Sequence, residues 1–377
     1  MHDLKRINRD LQESLSLDKH PVAILIGAGC PASVRIPDGT SDKALIPDIR
    51  GLTDYVIASL AGDECFKNVR AQFVEDGNTT ANIEDMLSRV RLLSRVAGLG
   101  NVRGLGQSQL VEVERKLCAK ISEVVRVELP NDDTSYHHLV DWISAIARSK
   151  PLQVFTTNYD LLMEQALEDR QVPFFDGFIG SRAPFFDLRA IEEEYAPARW
   201  VRLWKLHGSI SWTYSTGSCV KRCYPPPPGS EGVLIHPSEL KYDESRRMPY
   251  LAMMDRLRAF LRQPSAFLVT AGYSFADDHL NEVILQGARS NPTCAVYGLL
   301  FKNFDEEVAA AKLEKRVSTN VTLVAKDGGV VRGTRSGWLK DEHDPHDARA
   351  ESNLGDFGQL AKFVRNLASS REGGRHA

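Results

Sequence analysis

The chain has 377 residues, of which 42% are hydrophobic and 26% are charged, so it can bury a large core. This length predicts two domains or one large domain with an insertion. The formal net charge of -3 argues against direct nucleic-acid binding, which needs a concentrated basic patch. No apolar run approaches the length of a membrane span, and the polar N-terminus is unlike a signal peptide. We therefore expect a cytoplasmic protein with no membrane contact.

The first twenty residues predict a helix, and seven short hydrophobic runs follow it along the chain. These runs are continuous rather than alternating, which is typical of strands buried on both faces of a parallel sheet. We predict strands at residues 22–27, 152–157, 201–206, 233–237, 265–272, 295–301 and 321–325.

Helical patterns lie between many of these strands, and one more precedes the C-terminus. They cover residues 160–169, 250–262, 277–289, 304–316 and 356–369. The alternation of strands and helices predicts an α/β fold with a Rossmann-like, doubly wound parallel sheet. Two further segments are predicted to be loops, the proline-rich residues 215–231 and the polar residues 326–353.

Residues 50–150 interrupt this alternation with four amphipathic helical patterns. Asn82, with Asp85 three residues later, matches a helix N-cap. We predict an inserted helical module here, with Arg89 and Arg91 on its exposed surface. Four amphipathic helices can also bury their apolar faces on one another, so three roles remain open for the module: assembly contacts, gating of a ligand pocket, and a purely structural role.

The inserted module divides the chain into four parts. We predict the N-terminal helix and the first part of the α/β core at 1–49, the module at 50–150, the rest of the core at 151–330, and a polar segment with the C-terminal helix at 331–377.

Small or polar residues follow four of the predicted strands. Each has an ordinary explanation, because glycine suits tight turns, asparagine and aspartate cap helices, and a lone histidine is often a satisfied core residue. Ligands of open α/β sheets bind outside the carboxyl ends of the strands, so the four together predict a ligand site at that edge. The residues are Gly27, Ala28, Gly29, Thr157, Asn158, Asp160, His207, Gly208, Gly272 and Ser274.

The order of these motifs resembles that of the sirtuin family. The motifs are Gly-Ala-Gly-x-x-x-Ser with Ile-Pro-Asp, Thr-x-Asn-x-Asp, Leu-His-Gly and Gly-x-Ser, and the resemblance covers roughly residues 20–40 and 150–325. It implies that NAD+ is the substrate and that the bond between nicotinamide and ribose is cleaved.

The resemblance also implies roles for single residues. Asn158 is the implied catalytic residue near the ribose, and His207 is the implied base near the ribose hydroxyls. Asp160 accepts from the nicotinamide carboxamide, and Asp38 lies in the loop that closes over nicotinamide. The remaining implied NAD+ contacts are Gly27, Ala28, Gly29 and Ser33 at the phosphates and ribose, Gly272 and Ser274 on the adenosine side, and Thr157, which replaces a glutamine of the family.

Four departures from the family pattern weaken the case for protein deacylation; two of them are Thr157 in place of glutamine and Gly39–Thr40 in place of the family's Phe-Arg after Ile-Pro-Asp. Sirtuin deacylases carry four zinc-binding cysteines after the histidine, whereas the segment that follows His207 has the close pair Cys219 and Cys223. We therefore expect no zinc. The Phe-Gly-Glu stretch that helps to clamp acylated peptides in the family is also absent. The six cysteines are otherwise spaced irregularly, which predicts free thiols in a reducing compartment.

With these motifs, a helical insertion and no zinc module, the chain resembles the zinc-less, sirtuin-like NAD+ hydrolases of bacterial anti-phage defence. This resemblance implies that water is the acceptor and that the enzyme depletes cellular NAD+. It also implies a homo-oligomer and a separate HerA-type ATPase as partner. Two alternatives remain open: a sirtuin-like ADP-ribosyltransferase or deacylase, and a non-catalytic sensor of NAD+ or ADP-ribose.

Overall fold

A central sheet of nine strands organises the protein in the computed structural model. The structure describes residues 1–16, 18, 20–39, 41–214, 220–225, 233–234, 248–339 and 350–372. The sheet has the strand order β19-β18-β17-β16-β15-β1-β6-β10-β7. All neighbouring strands from β7 to β17 pair in parallel, and β18 and β19 add antiparallel at one edge. The predicted α/β fold with a mostly parallel sheet is confirmed.

The described strands are numbered in chain order. They are β1 (Val22–Ile26), β2 (Arg35–Asp38), β3 (Ser41–Ala44), β4 (Asn101–Val102), β5 (Leu105–Gly106), β6 (Gln153–Thr156), β7 (Phe174–Phe175), β8 (Phe178–Ile179), β9 (Phe185–Phe186), β10 (Val201–Lys205), β11 (Gly208–Ser209), β12 (Trp212–Tyr214), β13 (Val220–Arg222), β14 (Val233–Leu234), β15 (Phe267–Ala271), β16 (Ala295–Leu299), β17 (Val321–Val324), β18 (Gly328–Val331) and β19 (Thr334–Gly337).

The described helices cover both faces of the sheet and form the segment between β3 and β6. They are Leu4–Ser16, Gly29–Ser33, Ile49–Ser59, Glu64–Glu75, Ile83–Ala97, Gln107–Val125, Ser135–Ala145, Leu162–Asp169, Leu188–Glu192, Tyr250–Leu261, Asp278–Ser290, Val308–Ala311 and Phe357–Glu372.

Each central strand contributes to two hydrophobic cores, one on each face of the sheet. In β1 all five residues are buried; Ile24 and Ile26 lie in one core, and Ala23 and Leu25 lie in the other. Successive side chains of a strand point to opposite faces, so a strand that is covered on both sides needs apolar residues at every position. The continuous apolar runs in the sequence follow from this requirement.

A third hydrophobic core joins the helices between residues 49 and 125. Its helix Ile83–Ala97 begins with the predicted cap, because the Asn82 side chain accepts from the backbone nitrogen of Asp85, at 3.1 Å, and the Asp85 carboxylate accepts from the Asn82 nitrogen, at 2.9 Å. The helix Ser135–Ala145 instead packs on the C-terminal helix, in the first core. The division of the chain at residues 49, 150 and 330 remains a proposal.

Arg89 and Arg91 lie against neighbouring helices rather than on an open surface. The Arg89 guanidinium pairs with Asp76 and stacks over the Phe73 ring, 4.0 Å from its centroid. The Arg91 side chain is 13% exposed and pairs with Glu114 at 2.6 Å. The prediction that both arginines are exposed is wrong, because each side chain closes a contact inside the helical segment.

Three predicted elements differ from the structure. Residues 326–353 were predicted as loop, but β18 and β19 form a hairpin there, because Arg332 and Gly333 both adopt positive φ, which suits a two-residue turn. The predicted helix 304–316 is broken at Glu307, whose ψ of 66 is not helical. Of the predicted strand 233–237, the described part is β14. It pairs antiparallel with β11 and lies outside the central sheet. Residues 235–237, and most of the predicted loop 215–231, lie outside the described residues.

Among the helices that the structure describes, none combines the length and the apolar composition that a membrane span requires.

Candidate active site

The four predicted motifs lie at one edge of the central sheet. They follow β1, β6, β10 and β15, which are parallel and adjacent in the order β15-β1-β6-β10. From β1 the chain builds the sheet towards β6 and β10 on one side, and later towards β15 and β16 on the other. A reversal of this kind leaves a crevice at the carboxyl ends of the central strands, where open α/β sheets bind ligands.

The loops after β1 and β15 are packed backbone against backbone. Gly29 N donates to Gly272 O at 2.9 Å, and Gly27 N donates to Ala271 O at 2.9 Å. A Cβ on Gly27 would lie 2.4 Å from the Gly272 oxygen, and a Cβ on Gly272 would lie 2.5 Å from the Cys30 nitrogen. The glycines are therefore required by the contact between the two loops, and two of their amides are already used within the fold. Ala28 and Gly29 are exposed at this edge, where a ligand can reach them.

Asn158 is tied to the loop after β1. Its side-chain nitrogen donates to Gly27 O at 3.1 Å, and its backbone nitrogen donates to Thr156 Oγ1 at 3.0 Å. The neighbouring Thr157 N donates to Ile26 O at 3.1 Å. Asn158 is 8% exposed, and the next helix begins only at Leu162. Its side chain is thus fixed by the β1 loop rather than used as a helix cap.

Asp160 is a buried carboxyl group beneath this edge. It is 6% exposed, and one of its carboxylate oxygens accepts from Leu162 N at 3.1 Å. Burial raises the pKa of Asp160 to about 6, because charge is disfavoured away from water, while the Lys205 ammonium opposes this rise. Lys205 is itself buried, donates to the backbone oxygen of Asp160 and pairs with Glu164 at 2.9 Å.

His207 is held by the Asp277 carboxylate, which lies on the loop between β15 and the helix Asp278–Ser290. Its Nε2 lies 3.0 Å from Asp277 Oδ2, and each side chain is 8% exposed. The other oxygen of Asp277 caps the helix Asp278–Ser290 by accepting from His279 N and Leu280 N, both at 3.1 Å. A carboxylate fixed in this way orients the imidazole and stabilises its protonated form.

The structure places the three remaining predicted residues differently. Ser33 lies in the short helix after the β1 loop, and its hydroxyl donates to Cys30 O at 2.8 Å. Ser274 is exposed between two buried aromatic residues. Asp38 ends β2 in an exposed hairpin, where its carboxylate pairs with Lys43 at 3.3 Å. Hydrogen bonds and close backbone contacts therefore join Gly27, Gly29, Thr157, Asn158 and Gly272, and they do not extend to Asp38 within the described residues.

Three residues of this site were not predicted from the sequence. Asp277 follows the Gly-x-Ser motif and has the sequence signature of an ordinary N-cap. Lys205 is the one charged residue in the second half of an apolar strand, which was the available signal. Tyr136 comes from the helix Ser135–Ala145. Burial raises the pKa of its phenol well above the usual range, and the nearby Asn158 side chain partly lowers it. The phenol hydroxyl is buried and has no hydrogen-bond partner among the described residues.

The zinc prediction is not tested by the structure, because Cys219 lies outside the described residues. Cys223 is a free thiol. Among the residues that are described, no three or more His, Cys, Asp or Glu side chains are grouped in a way that could hold a metal ion.

Comparison with known proteins supports the resemblance for the second half of the fold. Residues 152–319 match the family model of a SIR2-like domain. The matched segment contains Asn158, His207 and Gly272, whereas the loop after β1 lies outside it. No curated protein matches the chain.

Solved sirtuin structures also align with the chain, at low similarity. One, from a study of the mechanism and regulation of Sir2 enzymes, has 13% identity and a TM-score of 0.45, and covers 99% of this chain and 100% of its own. A Sir2 homologue in complex with NAD has 14% identity and a TM-score of 0.43, with 98% and 97% covered. A histidine-to-asparagine mutant of a Sir2 homologue with ADP-ribose has 12% identity and a TM-score of 0.38, with 96% and 97% covered. Values this low carry no conclusion about activity.

We predict that Asp160 makes folding stability fall as the pH rises from about 4 to 6. Its folded pKa of about 6 exceeds the ordinary aspartate value of 3.8, so the native state binds the proton more tightly. The stabilisation is complete below the unfolded pKa and is lost as the pH rises through the folded one, by about 3 kcal/mol in total. Urea unfolding of the wild type and of Asp160→Asn across this range measures it. The variant should lack this part of the slope; identical slopes would contradict the assignment.

Proposed function

We propose that the protein is an NAD+ glycohydrolase that cleaves the bond between nicotinamide and ribose and releases nicotinamide and ADP-ribose. The observation that carries the proposal is the placement of Asn158 and His207 at one sheet edge, each side chain held by a specific partner. Asn158 is held by the Gly27 carbonyl, and His207 is held by Asp277. Both lie in the segment that matches the SIR2-like domain model.

The chemistry needs what these side chains can supply. Loss of nicotinamide leaves an oxocarbenium-like ribose, which must be shielded and offered to an oriented acceptor. We propose that Asn158 orients that acceptor, which is water, and that His207 acts as the base near the ribose hydroxyls. Asp277 would stabilise the charge that His207 gains.

Asp160 is proposed to hold the nicotinamide carboxamide. With a pKa of about 6, its carboxyl group is mostly ionised at pH 7 and can accept from an amide N–H. The Lys205 ammonium, which donates to the backbone oxygen of Asp160 and pairs with Glu164, offsets part of this negative charge. The glycine contacts between the β1 and β15 loops would then shape the surface for the phosphates and the adenosine-side ribose.

We further propose that the enzyme is a cytoplasmic effector of anti-phage defence that depletes NAD+, needs no zinc and works with a HerA-type ATPase. These finer statements rest on the resemblance of the sequence motifs and on the lack of the family's usual cysteine spacing. The acceptor distinguishes the proposal from its alternatives, since a transferase or deacylase would use protein and a sensor would turn over nothing.

An apolar stripe on the helical segment supports self-association. Leu92, Val96 and Leu99 are spaced three to four residues apart and are 46%, 65% and 109% exposed. If two copies of this helix pack antiparallel about a two-fold axis that passes through the stripe, the exposed apolar side chains of one copy meet those of the other. We therefore propose that a second copy of this chain covers the stripe.

We predict that Asn158→Ala and Asp277→Asn each lower NAD+ hydrolysis about 100-fold, which is typical for loss of a positioned catalytic group. Asparagine keeps the helix cap at position 277, so the fold should persist while the charge beside His207 is lost. Nicotinamide and ADP-ribose are quantified by chromatography, with and without an acylated peptide, and the melting temperature is checked. Asp278→Asn, at the exposed neighbour, is the matched control and should keep wild-type turnover.

Near-wild-type turnover in folded Asn158→Ala would exclude Asn158 from the reaction. Nicotinamide release that depends on the peptide would indicate a protein acceptor instead of water.

We predict that Leu92→Glu combined with Val96→Glu lowers the molar mass measured by light scattering, because charge in the stripe prevents the two helices from packing. Val74→Glu is the matched control, since Val74 is 63% exposed on a different helix of the same segment. An unchanged mass in the double variant would place the assembly contacts elsewhere on the chain.

A further inference from the structure

A cavity lies at the opposite edge of the sheet from the candidate active site. It has a volume of about 320 Å³. Its lining includes Gln153 and Arg202, at the amino ends of β6 and β10, and Phe260 from the helix that covers them. Parallel strands have all their amino ends at one edge, whereas Asn158 and His207 follow the carboxyl ends of the same two strands. The cavity is therefore separate from the site proposed for NAD+.

Arg202 is a buried cation in the wall of this cavity. It is 7% exposed, and its guanidinium donates to the backbone oxygens of Ala196, Pro197 and Trp200, at 2.6, 3.2 and 2.8 Å. Within the described part of the chain, no carboxylate forms an ion pair with it. Burial lowers the pKa of Arg202, and only the more distant Glu194 raises it. A buried charge is normally paired, so this guanidinium lacks an anion.

Arg256 brings a second guanidinium to the same cavity. Its Nε is buried and has no hydrogen-bond partner among the described residues. Its Nη1 reaches Ile191 O at 3.4 Å and lies 4.0 Å from a carboxylate oxygen of Glu194, whose side chain is 76% exposed. Buried donors without a partner are rare in folded proteins and call for an explanation.

We propose that this cavity binds a small organic anion, with a phosphate or carboxylate group held by the two guanidinium groups. Guanidinium forks match both groups in a bidentate manner. The aromatic side chains of Trp204 and Phe175 line the same cavity and take the apolar part of the ligand. Lys150 adds positive charge at the rim, and Glu194 opposes it. The volume lies at the lower end of that of ligand sites, which favours a compact molecule over a dinucleotide.

Isothermal titration of the full chain with phenyl phosphate, inorganic phosphate and benzoate tests this proposal without relying on NAD+ turnover. The wild type should bind phenyl phosphate or benzoate more tightly than inorganic phosphate, because the aromatic wall adds contact. The preference between phenyl phosphate and benzoate identifies the anionic group. Arg256→Gln should weaken binding about tenfold, as expected for the loss of a charged hydrogen bond. Glu194→Gln should tighten it about twofold, because a mostly exposed opposing charge is removed.

Arg258→Gln is the matched control, since Arg258 lies on the same helix and pairs with Asp255 at 2.9 Å. It should bind like the wild type. Arg202 is left unchanged because it anchors residues 196–200. Equal affinity in the wild type, Arg256→Gln and Glu194→Gln, or the absence of saturable binding in the wild type, would overturn the proposal. If Arg256→Gln does not fold, the direction of the Glu194→Gln effect decides.

Discussion

The direct backbone contact between the loops after β1 and β15 is the constraint on which the candidate site depends. Gly27 and Gly272 approach so closely that no side chain fits between them. This contact fixes the Gly27 carbonyl that receives the Asn158 amide, and it positions the loop that carries Asp277 towards His207. The site is thus assembled from four strand ends by backbone geometry first and by side chains second.

Carboxylates in this site serve the fold and the proposed chemistry at the same time. Asp277 caps a helix with one oxygen and holds His207 with the other. Asp160 turns the chain into a helix by accepting from Leu162 N, while its burial raises its pKa to about 6. A side chain with such a double function is rigid before any ligand arrives, and preorganised polar groups are what catalysis requires.

The sheet was predictable because burial on both faces demands uninterrupted apolar runs, as in β1. The common location of the four strand-end motifs was predictable because parallel strands have their carboxyl ends at the same edge of the sheet. The β18–β19 hairpin was missed because Arg332 occupies the first turn position, where Asn, Asp or Gly is usual, although Gly333 at the second position is typical. Asp277 was missed because an N-cap has the same sequence signature whether or not its second oxygen holds a histidine. Lys205 and Tyr136 were missed because their contacts join distant parts of the chain.

The most direct test of the account is a crystal structure of Asn158→Ala grown with NAD+. The account predicts intact NAD+ at the carboxyl edge of β1, β6 and β10, with its nicotinamide ribose between position 158 and His207 and its carboxamide near Asp160. The phosphates should lie against the exposed atoms of Ala28 and Gly29. NAD+ bound elsewhere, or with its adenine in the place assigned to nicotinamide, would contradict the central claim that the residues at this edge cleave the nicotinamide–ribose bond.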